Sequence, residues 1–447
     1  MKGLNEFITK MTKAGLNQKT MQIFSHYYHQ FINGEKGKLS NSQISFPEPN
    51  QIIDYDSLYE SNAQNLKKLA IIKLNGGLGT SMGLSKAKSL LPVKSDDTFL
   101  DIIAKQTLKM REIYQIELPL IFMNSFNTSE DTLKFMKKYP DIEVCGLPLD
   151  FVQNMFPKVR KDDFKPLESP IEAENWNPPG HGDIYNALSE TGLLNELLDK
   201  GFEYIFVSNS DNLGAVVDPK ILNKLVEEKI DFAMEVCHRT EMDKKGGHLA
   251  KTQKGGLLLR EIAQCPEDEI AEFQNIEVYK YFNTNNLWIN LLSLKEKLTE
   301  NDGVLPLPLI LNEKRINLKE GNIAVYQFET AMGAAISVFD HAKALCVPRK
   351  RFLPVKNNQD LLLLWSDSYE LNKDFVLTKK EGAKDTILDL DNEFYGSIDQ
   401  LKEACEKGVP SLYECDSLKI KGYMKFEKGQ VFKGRIEIDN VLTGHLV

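Results

Sequence analysis

The stretch Leu69-Ala-Ile-Ile-Lys-Leu-Asn-Gly-Gly-Leu-Gly-Thr-Ser-Met-Gly83 begins as an apolar run and ends in a loop with four glycines. The run Leu69–Leu74 predicts a buried strand. Gly76 and Gly77 remove side chains where the backbone turns sharply or approaches a ligand. The loop lacks the glycine spacing of an ATPase P-loop and that of a dinucleotide-binding loop. Lys88 follows with a compact positive charge suited to phosphate. The residues alone indicate either a phosphate-binding loop or a tight turn.

Short apolar strands alternate with helix-length segments through the middle of the chain. After Leu69–Leu74 the candidate strands are Leu118–Met123, Tyr204–Val207, Phe232–Val236 and Leu287–Leu291. This alternation predicts an α/β domain with a mostly parallel sheet. In such sheets ligands bind beyond the carboxyl ends of the strands.

The two ends of the chain have other patterns. Residues 1–66 have apolar positions at helical spacing and predict a helical amino-terminal extension. In the tail, residues 373–447, apolar side chains recur every six residues, at Ile420, Phe426, Phe432 and Ile438. This period favours the coils of a β-helix over an antiparallel meander. We expect the tail to pack or assemble rather than to catalyse, and residues 67–372 to form the catalytic domain.

Composition excludes several classes of protein. The chain has 447 residues, 42% of them hydrophobic, and a net charge of −9, which disfavours binding to nucleic acid through a broad basic face. No apolar run approaches the roughly 20 residues of a membrane span. The six cysteines form no CxxC pair, and the first ten residues contain no apolar core of the length expected for a signal peptide. We therefore expect a soluble cytoplasmic protein without nucleic-acid or membrane partners.

Two further loops contain residues suited to a phosphorylated ligand. His181 lies between Gly180 and Gly182, which fits a phosphate or hydroxyl contact or, equally, a turn whose imidazole caps a neighbour. Asp211 follows a four-residue apolar strand in Ser208-Asn-Ser-Asp-Asn212. A hard oxygen ligand at the end of a strand suits Mg²⁺ that bridges to a phosphate, and an Asx turn is the alternative.

Seven segments, in order, resemble the eukaryotic-type UTP–glucose-1-phosphate uridylyltransferases (UDP-glucose pyrophosphorylases). They cover roughly residues 45–440. The segments are Lys73-Leu-Asn-Gly-Gly-Leu-Gly-Thr-Ser-Met-Gly83, Met123-Asn-Ser-Phe-Asn-Thr128, Pro178-Pro-Gly-His-Gly-Asp183, Ser208-Asn-Ser-Asp-Asn-Leu-Gly214, Phe282-Asn-Thr-Asn-Asn-Leu-Trp288, Glu329-Thr-Ala331 and Arg351-Phe-Leu-Pro-Val-Lys356.

The resemblance implies a helical amino-terminal region, a Rossmann-like nucleotidyltransferase domain and a carboxyl-terminal left-handed β-helix. It implies the reaction UTP + glucose 1-phosphate ⇌ UDP-glucose + pyrophosphate, with Mg²⁺. The alternatives are a UDP-N-acetylhexosamine pyrophosphorylase, a broad UDP-sugar pyrophosphorylase, and a non-catalytic nucleotide-sugar sensor on the same fold. The β-helix is a candidate surface for assembly into a homo-oligomer.

The resemblance also assigns roles to individual residues. The nucleotide would be bound by Leu74, Asn75, Gly76, Gly77, Gln153 and Gly180, with Gln153 at the uracil edge. The sugar phosphate would be bound by His181, Asn209, Glu261 and Asn285, with Asn283 and Asn286 as further candidates. The catalytic residues would be Lys88, Lys356 and Asp211, of which Asp211 would hold the metal.

One departure from the family pattern leaves a choice between two lysines. Ser85-Lys86-Ala87 stands where the family commonly has Lys-Gly-Pro before its lysine. Lys88 is our assignment by register, and Lys86 is the alternative.

Overall fold

The computed structural model describes residues 3–35, 37–59, 63–318 and 321–440, with the backbone alone at Ser81 and Leu318. Its α-helices are α1 (Leu4–Lys13), α2 (Gln18–Ile32), α3 (Phe99–Tyr114), α4 (Ser129–Met136), α5 (Ile184–Glu190), α6 (Leu193–Asp199), α7 (Pro219–Glu227), α8 (Ile270–Phe273), α9 (Leu291–Glu300), α10 (Asn358–Trp365), α11 (Asn392–Tyr395) and α12 (Ile398–Ala404). No helix in these ranges is long and apolar enough to cross a membrane.

The strands of the described ranges follow the same numbering along the chain. They are β1 (Ile44–Ser45), β2 (Ile52–Asp54), β3 (Leu69–Asn75), β4 (Pro92–Lys94), β5 (Asp97–Thr98), β6 (Leu120–Asn124), β7 (Asp150–Val152), β8 (Phe156–Pro157), β9 (Val159–Arg160), β10 (Trp176–Asn177), β11 (Tyr204–Asn209), β12 (Phe232–His238), β13 (His248–Thr252), β14 (Leu257–Arg260), β15 (Tyr281–Asn290), β16 (Ile310–Leu318), β17 (Gly321–Glu329), β18 (Ala342–Cys346), β19 (Tyr369–Leu371), β20 (Leu377–Lys379), β21 (Ile387–Leu390), β22 (Ser411–Gly422) and β23 (Val431–Asn440).

A large central sheet confirms the predicted α/β class. Its main order is β2-β18-β12-β15-β11-β3-β6-β7, and β1, β13 and β14 extend it beside β15. Neighbouring strands on this path run parallel except at β15, which is antiparallel to both β11 and β12. The predicted strand Leu287–Leu291 is the end of this longer strand. Its direction was not predicted, because the apolar pattern of a strand carries no information about direction.

Strand β3, formed by the apolar run that begins at Leu69, is buried on both faces of the sheet. Ile71 packs in the cluster that contains α3 and α7, whereas Ala70 and Ile72 pack in the cluster that contains α5, α6 and α9. Burial on both faces explains why the sequence shows a continuous apolar run rather than alternation.

The amino-terminal helices pack on the outside of this sheet domain through aromatic side chains. Phe24 of α2 lies 5.7 Å from Phe328 and 5.4 Å from Phe156, measured between ring centroids. Farther along, β2 pairs in parallel with β18 at an edge of the central sheet. The predicted extension therefore contains helices and also contributes strands to the main sheet.

The tail contains a stack of parallel strands. β21 pairs with β22, and β22 pairs with β23, each in parallel. Leu418 lies opposite Ile436 and Ile420 opposite Ile438, so facing residues are eighteen positions apart, which is three of the six-residue periods. This register excludes an antiparallel meander for these strands.

A buried ionic network joins the central sheet to the loop before α10. Arg351 donates from Nη2 and Nε to the Glu235 carboxylate, at 2.6 and 2.9 Å. Trp288 Nε1 and Asn286 Nδ2 donate to the same carboxylate, each at 2.9 Å. Both carboxylate oxygens of Glu235 accept hydrogen bonds. These bonds stabilise its buried charge and hold the loop against β12.

We expect Glu235→Gln to lower the free energy of unfolding by about 3–5 kcal/mol, because it leaves the buried Arg351 guanidinium without its counter-charge. Urea denaturation measures the change. The control is Glu406→Gln, which breaks a 3.5 Å pair with Lys425 whose side chains are 71% and 39% exposed, and which should cost less than about 1 kcal/mol. Equal effects of the two substitutions would contradict a stabilising role for the network.

Candidate active site

Polar side chains tie together the carboxyl ends of three strands. Asn75 at the end of β3 donates from Nδ2 to Asn124 Oδ1 at 2.9 Å and to Thr132 Oγ1 at 2.8 Å. Its Oδ1 accepts from Ser210 Oγ at 2.9 Å. Since the Asn75 side chain is occupied in this buried network, a ligand at this position would contact its backbone.

The glycine loop and Gln153 lie against each other. Gln153 follows β7, and its backbone N–H donates to Asn124 O at 2.8 Å. A Cβ added to Gly76 would lie 2.7 Å from Gln153 Nε2, whereas one added to Gly77 would meet nothing within 4 Å. The loop therefore places a side-chain amide beside an open stretch of backbone, as the prediction for Gln153 requires.

Lys88 contacts Asp211 beyond the carboxyl ends of the neighbouring strands β3 and β11. The glycine loop folds back so that Lys88 N–H donates to Gly77 O at 3.1 Å. Lys88 Nζ then lies 2.6 Å from Asp211 Oδ2 and also donates to Val355 O. Lys86 is exposed to solvent. The geometry therefore favours Lys88 over Lys86.

Lys356 directly follows Val355, whose backbone contacts both Lys88 and Asp211. The Val355 N–H donates to Asp211 O at 3.2 Å, which joins the two segments. Lys356 is exposed, and its N–H donates to Asp360 Oδ2 at 2.6 Å. Burial raises the pKa of Asp360, and its backbone hydrogen bonds and then the charges of Lys356 and Lys88 oppose that rise. The charges of Lys356 and Lys88 thus both act on the Asp360 carboxyl group, and the Lys356 ammonium lies 5.9 Å from the centroid of the Phe352 ring.

His181 is held as a neutral donor. Its Nδ1 accepts from Met332 N–H at 3.0 Å, and burial lowers its pKa to about 4. The imidazole is therefore uncharged near neutral pH, with its proton on Nε2. In this form it can donate a hydrogen bond to a phosphate oxygen.

Gly180 is packed against the segment Glu329–Ala331. Thr330 N–H donates to Pro179 O at 2.8 Å, and Gly182 N–H donates to Thr330 O at 2.9 Å. A Cβ on Gly180 would lie 2.5 Å from Thr330 O, and the φ of Gly180 is 80°. The position therefore requires glycine. These contacts join the segment Pro178–Asp183 to the segment Glu329–Ala331.

The hydroxyl-binding candidates Glu261 and Asn285 lie on either side of one glycine. A Cβ on Gly247 would lie 2.5 Å from Glu261 Oε2, and Gly247 O accepts from Asn283 N–H at 3.0 Å. Asn283 and Asn285 hydrogen-bond each other at 2.8 Å. Burial raises the pKa of Glu261. Glu261 thus lies close to the amide pair at the start of β15.

Asn209 and Asn286 have different surroundings. Asn209 ends β11, beside Leu74 in the parallel register, and is partly exposed. Asn286 is fully buried, with its amide bound to Glu235 and Asn212. The buried amide of Asn286 serves the ionic network, so Asn286 is the weakest of the sugar-binding candidates.

A separate cavity of about 930 Å³ lies at the ends of β2, β12 and β18. Its lining includes the aromatic side chains of Phe46, Tyr55, Tyr279 and Tyr281, and none of the predicted site residues. The predicted residues instead border the edge of the sheet formed by β3, β6, β7 and β11, with His181 and Glu261 supplied by adjoining loops and Asn285 by β15.

Several residues that organise this edge were missing from the predictions. Thr330 fixes Gly180, Asp360 fixes the backbone of Lys356, and Asn154 and Asp183 hydrogen-bond each other at 2.6 and 3.1 Å. Thr330 and Asp183 lie within the quoted segments. Their partners are distant in the sequence, so the sequence supplied no signal for the pairings.

A mostly parallel sheet with a glycine loop and a lysine–aspartate pair at its carboxyl edge is an arrangement suited to an enzyme that acts on phosphorylated ligands. A family model described as UTP–glucose-1-phosphate uridylyltransferase matches residues 21–433. The chain belongs to this family.

Individual relatives agree with the family assignment. The UTP–glucose-1-phosphate uridylyltransferase of Musa acuminata is 40% identical over 97% of this chain and 92% of its own length. A probable UTP–glucose-1-phosphate uridylyltransferase of Schizosaccharomyces pombe is 39% identical over 95% of this chain and 87% of its own.

Solved structures show the same fold. A mutant of the UDP-glucose pyrophosphorylase from Leishmania major, in complex with UDP-glucose, is 42% identical, with a TM-score of 0.93 over 100% of this chain and 96% of its own. A Trypanosoma brucei protein described as a UDP-glucose phosphorylase is 42% identical, with a TM-score of 0.90 over 99% and 96%.

We expect Gly180→Ala to destabilise the protein more than Gly192→Ala. Both glycines have a φ of 80°, but a Cβ at Gly192 would meet nothing within 4 Å. Gly192→Ala should cost about 1–2 kcal/mol through backbone strain. Gly180→Ala should cost about 1–3 kcal/mol more, because the ψ of Gly180 is 171°, a conformation that essentially only glycine adopts, and because a Cβ would force the Thr330 backbone away. Urea unfolding measures both variants, and equal losses would contradict a special requirement for glycine at position 180.

Proposed function

We propose that this chain converts UTP and glucose 1-phosphate to UDP-glucose and pyrophosphate. The observation that carries the proposal is the convergence of Lys88, Asp211 and the Lys356 segment beside the open glycine loop. A reaction between a triphosphate and a sugar phosphate brings two anions together, so it needs positive charge at one place. The family description indicates UTP and glucose 1-phosphate as the substrates, and the complex of the Leishmania major relative contains UDP-glucose.

The nucleotide would lie over the backbone of Leu74–Gly77. Gln153 would read the uracil edge through its amide, since it already lies against Gly76. Gly180 would border the ring through its backbone, since the direction of its absent side chain is taken up by Thr330.

The sugar phosphate would occupy the adjoining region toward β14 and β15. Asn209 lies nearest the glycine loop, at the end of β11. Glu261 and Asn285 would bind the hexose hydroxyls, with a carboxyl group and an amide as complementary partners. The neutral His181 would donate from Nε2 to a phosphate oxygen.

The chemical step would be an in-line attack by a glucose 1-phosphate oxygen on the α-phosphorus of UTP. The bond from that oxygen to the α-phosphorus forms as the bond to the pyrophosphate oxygen breaks, and no covalent protein intermediate is needed. Lys88 and Lys356 would stabilise the negative charge that develops on the phosphates.

Asp211 fits the role of a Mg²⁺ ligand. In the described residues, no group of three or more His, Cys, Asp or Glu side chains is arranged to hold a metal ion. Mg²⁺ in nucleotide sites, however, commonly takes one or two carboxylates and fills its remaining positions with phosphates and water. Asp211 is 26% exposed beside the open loop, so it can supply that carboxylate. The ion would neutralise charge on the phosphates.

The domain assignment and location form part of the same proposal. We divide the chain into an extension (1–66), a nucleotidyltransferase domain (67–372) and a carboxyl-terminal domain (373–447). The eighteen-residue register of β22 and β23 supports a left-handed β-helix for the last. The six free thiols are consistent with the reducing environment of the cytoplasm.

The decisive experiment measures pyrophosphate release from UTP and Mg²⁺ with a panel of sugar 1-phosphates. We expect glucose 1-phosphate to be used in preference to N-acetylglucosamine 1-phosphate and galactose 1-phosphate. A reversed preference would assign the chain to another sugar. Binding of UDP-glucose without release of pyrophosphate from any sugar would instead indicate a non-catalytic sensor.

We expect Lys88→Ala to reduce kcat by about 10²–10³, which corresponds to roughly 2.7–4 kcal/mol of transition-state stabilisation. Lys86→Ala is the matched control: it removes an exposed lysine two positions away and should retain the parent rate. Steady-state kinetics, together with unfolding curves for both variants, separate catalysis from stability. The opposite result, with only Lys86→Ala impaired, would transfer the role to Lys86.

A further inference from the structure

The side-chain amide of Asn154 is partly buried and lies at the centre of a polar network, directly after Gln153. Its backbone N–H donates to Asp183 Oδ2 at 2.6 Å. Its Nδ2 donates to Asp183 Oδ1 at 3.1 Å and to Glu190 Oε2 at 2.8 Å. Its Oδ1 accepts from Thr20 Oγ1 at 2.9 Å. Both donors and the acceptor of the side chain are therefore engaged.

The network connects three separate parts of the chain. Asn154 directly follows Gln153, and Asp183 closes the segment that contains Gly180 and His181. Thr20 belongs to α2, so the amino-terminal helix completes the network. The two segments that border the proposed uracil site are thus linked by the side chain and the backbone N–H of one residue.

The electrostatics show why an amide is needed here. Burial raises the pKa of Asp183 to about 7, and Glu190 adds to that rise, while the Asn154 side-chain and backbone donors oppose it. Burial also raises the pKa of Glu190, against the hydrogen bonds from Asn154 and Asn17 and the charge of Lys19. The buried carboxyl group of Asp183 and the partly buried one of Glu190 therefore share the Asn154 amide as a donor, and removal of that amide costs each of them one hydrogen bond.

We infer that Asn154 is a positioning residue that fixes Gln153 relative to Gly180, and that it thereby sets the affinity and base selectivity for the nucleotide. The inference rests on the proposed function, in which Gln153 reads uracil. Asn154 itself touches no substrate, and it acts through its neighbour in the chain. The hydroxyl of Thr20 orients the amide, so the amino-terminal helix contributes to nucleotide recognition.

The test compares Asn154→Ala and Thr20→Val with the parent in steady-state kinetics, with UTP, CTP and glucose 1-phosphate as variable substrates. For Asn154→Ala we expect KM for UTP to rise about tenfold or more, because the loss of a hydrogen bond to a charged group would let Gln153 leave its binding position. The values of kcat and KM for glucose 1-phosphate should change little, and the preference for UTP over CTP should fall. Thr20→Val removes only the orienting hydroxyl and should give a smaller change in the same direction.

The control is Asn65→Ala. Asn65 is also a partly buried amide that donates to a side chain, Asn223 Oδ1, at 2.8 Å, but it lies on the amino-terminal side of β3. It should alter stability without changing the ratio of the two KM values. If Asn154→Ala fails to fold, Thr20→Val alone provides the test, because it preserves shape.

The outcomes separate this inference from the proposed function. Suppose that the parent is active and the variants fold. The positioning role alone is then overturned if KM changes equally for UTP and glucose 1-phosphate, or if the preference for UTP over CTP is unchanged. A parent that neither releases pyrophosphate nor binds UTP in calorimetry overturns the proposed function and this inference with it.

Discussion

The ion pair between Lys88 and Asp211 lies where three distant parts of the chain meet. The glycine loop supplies the lysine, the end of β11 leads to the aspartate, and the segment around Val355 accepts from the lysine and donates to the aspartate backbone. At 2.6 Å and only partly exposed, the pair requires all three segments to be held closely. The surrounding strands and their buried polar contacts hold these three segments in place.

Each of those segments is fixed by a buried polar group rather than by apolar packing alone. Asn75 binds the ends of β6 and β11 to that of β3. Arg351, bound to Glu235, holds the loop that leads to Lys356. Directional contacts of this kind define one arrangement, whereas apolar side chains of similar size can pack in several. A site for charged ligands therefore depends on buried polar contacts that lie beneath it.

The sequence predicted the parts of the fold that depend on local pattern. The strand Leu69–Leu74 and the glycine loop follow from an apolar run and from residues without side chains. Parallel stacking in the tail follows from a period of six. The antiparallel direction of β15 could not be predicted, because direction is set by neighbours distant in the sequence. The same limit applies to the site: Lys88 and Asp211 were identifiable by residue type, but the pairing of Asn154 with Asp183 and the burial of Asn286 depend on tertiary packing.

The reversed direction of β15 has a consequence for the supply of side chains to the binding edge. In a purely parallel sheet, only residues that follow a strand reach that edge. Because β15 enters the sheet there, its first residues, including Asn283, lie beside the last residues of β12. One inverted strand thus brings side chains from the beginning of a chain segment to the edge where the other strands end, and it adds the amides of Asn283 and Asn285 to the groups available there.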